Sequence, residues 1–397
     1  MAITRKKVEK CSTDDFLTYL EKECDAYFEP EKYKTGILPL DEVLGGYLES
    51  GSLIELSSES GVGKSTLLLN LAKNFADLGL GTLYIDSEGS VKDSMIEGLQ
   101  LSPYLSTKDH KDNLFTLVRI SGYTAVEELI TKALQTNKFK LIVIDSLTAL
   151  VGDVYLDEKE DRKATENRVG FDALMSSRLL KKLNALKTKY NCIFFCISQT
   201  RVDLSNTFIT SFKSTGGQAV KFFPDVRLFM KRKKKILDKA VLVTGDSENA
   251  TIGAETTIEA TKSRQGQGFI AYPMTIYFGK GVSNLAAYEV LLPLLVNSKG
   301  EPVYIKKSSV THELHLDSGD YTTSAGRNGL LTLINNNWDE IDKLCNDYVT
   351  DYFLGKHEAM VNANYEGRDD LITEENDVKD YTADDTLDLD SEGAYIE

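Results

Sequence analysis

Between residues 52 and 198, short apolar runs alternate with longer segments whose apolar residues recur every three or four positions. SLIELS (52–57), TLYIDS (82–87), KLIVIDSL (140–147) and CIFFCIS (192–198) are apolar almost throughout, as strands buried on both faces are. Helical spacing fills the gaps, from Lys64 to Leu78, Ala125 to Gln135 and Phe171 to Lys189. Strands separated by helices predict an α/β fold with a mostly parallel central sheet covered on both faces. VRLFMKRK, TTIEATK and MTIYFG predict further strands, with the basic cluster Lys231–Lys235 as a solvated hairpin between two of them.

The flanks read differently. In residues 1–34, Ser12 or Thr13 can cap a helix on which Phe16, Leu17, Leu20, Cys24, Tyr27 and Phe28 share a face. That face needs a cover, either its own core or a neighbouring subunit. Residues 35–289 form the main domain. Residues 290–365 read as a small C-terminal α/β module with the only tryptophan, Trp338, and a helix from Asp339 to Phe353. Residues 366–397 are acidic and poor in apolar residues, the composition of a disordered tail.

Charge changes the picture only once it is located. The net charge is −15, yet 13 acidic residues against Arg368 and Lys379 place −11 of it in the tail, leaving −4 for everything before Glu366. Acidity is therefore no argument against a nucleic-acid partner. No apolar run reaches the roughly 18 residues that a membrane helix needs, and the basic start MAITRKKVEK lacks the apolar stretch of a secretory signal. Cys192 and Cys196 lie in an apolar strand, no CxxC pair occurs, and His312 and His315 fall on what reads as a solvated strand face. A cytoplasmic protein without disulfides or zinc is expected.

The chemistry concentrates in Ser58, Glu59, Ser60, Gly61, Val62, Gly63, Lys64, Ser65 and Thr66, a run that follows a strand and opens a helix. Backbone amides of such a loop wrap a phosphate at a helix N-terminus, Lys64 reaches the β- and γ-phosphates, and Ser65 offers its hydroxyl to Mg²⁺. Ser58 stands where the phosphate-loop pattern has its first glycine. Asp145, ending KLIVIDS, is the metal-orienting carboxylate expected beside such a loop. Glu88 in YIDSEGS is the candidate for polarising an attacking water, with Asp86 two residues earlier as its competitor.

This order of motifs resembles the RecA-family recombinases over most of residues 35–285. YKTGILPLDEVLGG resembles the entry to that family's core, YIDSEG its catalytic-glutamate strand, LIVIDSLTAL its Mg²⁺ strand, and ISQTRVD with STGGQAVKFFPDVRL the segment holding its second DNA-binding loop. The resemblance implies a RecA-type phosphate-loop ATPase core using ATP and Mg²⁺, with an N-terminal oligomerisation helix. Gln199 would sense the γ-phosphate and relay it to the loop Thr200–Thr215. There Arg201 and Lys213 would meet DNA phosphates while Asn206, Phe208, Ile209 and Phe212 wedge between bases. Gly216 and Gly217 would lead tightly into the next helix. Arg162, Lys163 and Arg168 would lie in a first DNA loop within about Asp157–Gly170. Lys262 and Arg264 match a cation pair that the family sets against the neighbouring subunit's ATP, and Phe222 an interface position; alone, they read as an exposed basic strand end and a core residue. Met95 stands where many relatives carry an aromatic residue against adenine, and an acidic tail is also common in bacterial members.

The resulting expectation is a DNA-dependent ATPase that forms filaments on single-stranded DNA and pairs it with homologous double-stranded DNA, with a single-strand-binding or loader protein as possible partner and no membrane. A ring-forming helicase of the same core and a regulatory recombinase paralogue are the other readings. STGGQAVKFF and the N-terminal helix favour the recombinase over the ring, and the intact set Lys64, Ser65, Glu88, Asp145 and Gln199 argues against a dead ATPase.

Overall fold

The apolar runs lie side by side. The computed structural model describes residues 29–152, 168–203, 211–214, 222–237, 251–264 and 270–366, giving backbone alone for 168–173, 200–203, 211–214 and 354–366. The chain starts with β1 (Lys32–Tyr33), α1 (Leu38–Val43), β2 (Leu48–Glu49), β3 (Leu53–Ser58), α2 (Lys64–Asp77), β4 (Gly81–Asp86) and α3 (Asp93–Gly98). It continues with β5 (Phe115–Val118), α4 (Tyr123–Gln135), β6 (Phe139–Asp145), α5 (Arg168–Lys189), β7 (Ile193–Asp203) and β8 (Ser211–Ser214). β9 (Val226–Leu237), β10 (Thr251–Lys262), β11 (Ala271–Tyr277), β12 (Gly281–Ser283) and α6 (Leu285–Leu291) follow. The last elements are β13 (Tyr304–Lys306), β14 (His312–Leu316), β15 (Gly319–Thr323), α7 (Gly326–Asn336) and α8 (Trp338–Glu366).

Ten described strands form one sheet in the order β12-β11-β10-β9-β3-β7-β6-β4-β5, with β8 on β7. From β9 to β5 all neighbours are parallel; β10, β11 and β12 extend the sheet antiparallel. Alternation along the strands feeds two cores. Leu56, Tyr84, Val143 and Phe195 pack with Leu67, Leu68 and Leu71 of α2, while Ile85, Ile144 and Cys196 pack with Val126 and Ile130 of α4 and Leu180 of α5. Because β3, β4, β6 and β7 run the same way, their carboxyl ends share one edge, where open α/β sheets bind ligands.

One charge is buried mid-sheet. Glu55 of β3 is fully buried, accepts a 2.6 Å bond from Ser198 Oγ on β7, and pairs with Arg227 of β9 on its other side. Beyond the sheet, β13, β14 and β15 form a separate antiparallel ladder. Tyr288 of α6 meets Trp338 edge-on at 4.8 Å and donates to Asp342 of α8.

Several expectations change. Lys231–Lys235 lies within β9 rather than between strands, because the β9–β10 pairing runs on to Leu237↔Thr251. His312 is buried, not solvated: period-two alternation puts it on the face of Leu314 and Leu316, with Nδ1 2.8 Å from the Tyr304 hydroxyl. Arg168–Gly170, expected in the first DNA loop, are the first residues of α5. The segment expected as the loop Thr200–Thr215 is a two-stranded ribbon at its base, with Thr200↔Ser214 and Arg201↔Lys213 in register. Within the expected N-terminal helical element, Lys32–Tyr33 pair as a strand with β2. The helix expected over residues 12–28 and the acidic tail beyond Glu366 lie outside the described residues. So does the remainder of the first DNA loop, with Arg162 and Lys163.

Candidate active site

The carboxyl edge of β3, β4, β6 and β7 opens on a cleft of about 560 Å³ lined by Ser60, Gly61, Gly63, Lys64, Ser65, Thr66, Glu88, Asp145 and Gln199. Nine of the expected site residues therefore meet in one place. Of the rest of the loop, Val62 turns its side chain into the core, and Ser58 is fully buried at the end of β3.

The loop's geometry explains its composition. Gly63 caps α2 with φ 109°, and a Cβ there would come within 3.0 Å of the Ile276 side chain. Both facts demand glycine. Gly61 has φ 71°. Ser58, by contrast, ends an extended strand and needs no glycine. Its hydroxyl accepts a 2.9 Å bond from Lys64 Nζ and donates to the Glu59 carbonyl at 2.6 Å. The ammonium also reaches the Glu59 carbonyl at 3.1 Å. Burial lowers the Lys64 pKa, while the carboxylates of Asp145 and Glu88 pull it back up.

Three carboxylates end two adjacent strands, and their partners separate their jobs. Asp86 is buried and holds the turn after β4, accepting from the amides of Ser90 and Val91 at 3.0 Å each, with Arg119 Nε 3.7 Å away. Glu88 is exposed to the cleft; its Oε1 accepts from Ser146 Oγ at 2.6 Å and from Gln199 Nε2 at 2.9 Å. Asp145 is 2% exposed and accepts the Tyr84 hydroxyl at 2.7 Å, with Ser65 lining the same cleft. Burial raises the Asp145 pKa, while the Ser65 and Tyr84 hydrogen bonds lower it and the charges of Glu88 and Asp86 raise it further.

Sequence reasoning missed Tyr84, Ser146 and the segment Phe278–Lys280, which lines the cleft opposite Met95. Tyr84 had a partial signal, since β-alternation puts it on the same face as Asp86, while its meeting with Asp145 depends on strand register. Phe278–Lys280 had none, because only sheet topology brings the end of β11 beside α3: a Cβ on Gly98 would sit 2.1 Å from the Gly279 carbonyl.

Lys262 and Arg264 are not in this cleft. Lys262 pairs with Arg227, which pairs with Glu55, three residues before Ser58, so the cations lie about 10 Å toward the other end of the strands. Lys262 Nζ donates to the carbonyls of Phe222 (2.9 Å) and Pro224 (2.7 Å), and Arg264 pairs with Asp225 at 3.2 Å. Phe222 itself is 66% exposed, not core. Asn206, Phe208, Ile209, Gly216 and Gly217 lie outside the described residues, as do the side chains of Arg168, Arg201, Phe212 and Lys213.

This arrangement suits a nucleoside triphosphate with a divalent cation: glycines that let the backbone approach, a helix N-terminus, a lysine with exchangeable partners, and a Ser65–Asp145 pair at the helix start. The RecA N-terminal domain matches residues 2–283. The chain belongs to the RecA family. Protein RecA of Mycoplasma genitalium is 31% identical over 260 residues, covering 64% of this chain and 68% of that protein. Protein RecA of Geobacter metallireducens is 30% identical over 266 residues (67% and 71%), and that of Mycoplasma mycoides 27% over 315 residues (79% and 82%). Among the described residues no helix is long and apolar enough to cross a membrane. Among the described residues no cluster of three or more His, Cys, Asp or Glu that could hold a metal ion occurs.

Proposed function

We propose that this RecA-family chain is an ATP-dependent DNA recombinase, which assembles on single-stranded DNA as a helical filament and pairs it with homologous duplex. The observation that carries the reading is the Gln199–Glu88 bond of 2.9 Å. Gln199 lies on β7, which continues without a break into the β7–β8 ribbon, the segment where family relatives place a DNA loop. One side chain thus joins the water-polarising carboxylate to the DNA-facing element.

The geometry of the cleft and the family resemblance support the following roles. Lys64 exchanges its Ser58 and Glu59 oxygens for phosphate oxygens and neutralises their charge. Mg²⁺, when bound, supplies electrostatic stabilisation between the phosphates, and Ser65 with Asp145 would hold it. Glu88 accepts a proton from water; Ser146 holds its Oε1 in place. Gln199 moves from Glu88 to a terminal phosphate, freeing Glu88 and shifting the ribbon together. Lys262 and Arg264 serve the neighbouring subunit's nucleotide.

The test is ATP hydrolysis with and without single-stranded DNA, with the same samples imaged by electron microscopy. DNA-stimulated hydrolysis with helical filaments supports the reading. Closed rings favour the ring helicase, and hydrolysis indifferent to DNA favours a regulatory paralogue.

A further inference from the structure

We propose that Tyr84 is a positioning residue for the divalent cation: its hydroxyl holds the Asp145 carboxylate and so sets how tightly metal is held with nucleotide. The inference rests on the ATP and Mg²⁺ reading of the cleft.

Tyr84 is fully buried in the middle of β4, on a sheet face otherwise lined with apolar side chains. An aliphatic or phenylalanine side chain would fill that position without a polar atom to satisfy. The hydroxyl instead donates to Asp145 Oδ2 at 2.7 Å. Register explains the meeting: Tyr84 pairs with Val143, so Asp145 is the next residue of β6 on the same face. Ser65 arrives from the first turn of α2. One phenol on β4 therefore holds the β6 carboxylate that, with Ser65 of α2, would hold the cation. The ring is fixed by Phe115, whose centroid is 6.3 Å away at an interplanar angle of 61°.

The consequence is directional. With Oδ2 engaged by the phenol, the Asp145 carboxylate is held in one orientation at the cleft wall. Without the phenol it rotates, and the cation loses an oriented partner. Outer-shell partners of this kind typically change metal affinity by tenfold or more. Binding of nucleotide through the loop amides and Lys64 does not involve the phenol.

The experiment uses the full chain and Tyr84→Phe, which removes one oxygen and retains the ring. Calorimetric binding of ATPγS is measured in EDTA and at stepped Mg²⁺ concentrations. The expected result is unchanged binding in EDTA and a Mg²⁺ half-saturation about tenfold higher in the variant. In an Asp145→Asn background the same substitution should add less than a twofold shift. A variant curve that superposes on the unmodified chain's, or an equal loss with and without Mg²⁺, overturns the assignment, the second because it marks a purely structural role. If the unmodified chain itself shows no Mg²⁺-dependent ATPγS binding, the reading of the cleft fails, and this inference with it. A misfolded Tyr84→Phe chain, seen as a lost thermal transition, also overturns the assignment.

Discussion

At the scale of single residues, Ser58 shows how a departure from a motif acquires a role. Glycine at this point would leave Lys64 with carbonyl partners only; serine adds a hydroxyl acceptor at 2.9 Å. Nucleotide must then take the lysine away from a charge-assisted hydrogen bond, the stronger class of such bonds. Ser58→Gly is expected to tighten ATP binding by up to about tenfold, since a hydrogen bond to a charged group contributes roughly 1.5–3 kcal/mol and much is offset by water. Equilibrium titration with a fluorescent ATP analogue checks this, and unchanged or weaker affinity would show that the hydroxyl does not restrain the lysine. The two acidic residues after β4 make a second contrast. Glu88→Gln should lower turnover by about 10²–10⁴ with nucleotide affinity nearly intact. Asp86→Asn should instead lower thermal stability by roughly 1–3 kcal/mol, because it weakens the bonds that hold the Ser90 and Val91 amides. Measuring both variants by turnover and by denaturation separates the roles. If Asp86→Asn proved stable but inactive, the assignment of the water-polarising group would have to be exchanged.

At the scale of elements, α1 carries two adjacent carboxyls into the core. Asp41 is fully buried and Glu42 is 6% exposed. Burial raises Asp41 from 3.8 to about 7 despite a 2.9 Å bond from the Thr35 amide and the charge of Lys34. Burial, then the charge of Asp41, raises Glu42 from 4.5 to about 8. Asp342 also faces Asp41, and Glu42 faces Cys345. The folded chain therefore holds these protons more tightly than the unfolded chain. Their contribution is fully present below about pH 4 and is lost as pH rises toward the folded values. Urea unfolding between pH 5 and 8 should show stability falling with pH, each carboxyl adding a slope of up to about 1.4 kcal/mol per unit. Glu42→Gln should flatten that slope; an unchanged slope would mean that Glu42 is ionised in the folded chain. This pair was not legible in LPLDEV, where Asp41 and Glu42 look like an ordinary polar first turn. What was legible is what the chain states locally: apolar runs gave the parallel strands, and the contiguous loop gave the cleft's floor. Register and topology bring Tyr84 to Asp145, Ser146 to Glu88 and Phe278–Lys280 to the cleft wall. The choice between Asp86 and Glu88 depended on which carboxylate the turn's amides claim.

At the scale of the whole molecule, the cations Lys262 and Arg264 stand apart, among the described residues, from the cleft of their own chain. They hold the segment from Phe222 to Asp225, and that aspartate also accepts the Leu53 amide at 2.9 Å and pairs with Lys187. Arg264 nevertheless leaves 59% of its side chain exposed, on a loop end whose neighbour Phe222 is exposed as well. A paired yet exposed arginine beside an exposed aromatic residue fits a surface that meets another copy. In a head-to-tail assembly each cleft would be completed by the next chain, a heterologous contact that builds rings or filaments. Arg264→Ala and Glu88→Ala would then each silence every site in a homogeneous assembly, for different reasons. Mixed in equal amounts, the Arg264→Ala chain supplies an intact cleft and the Glu88→Ala chain an intact cation. Random head-to-tail order makes about one interface in four complete, so turnover should recover to roughly a quarter of the unmodified rate. The measurement is ATP hydrolysis across mixing ratios, with assembly followed by light scattering. A bell-shaped dependence on ratio, peaking near equal amounts, is the signature of a shared site. A flat line at background, with both chains folded and co-assembling, would place Arg264 in its own chain's architecture alone. The ion pair with Asp225 would then be its whole purpose.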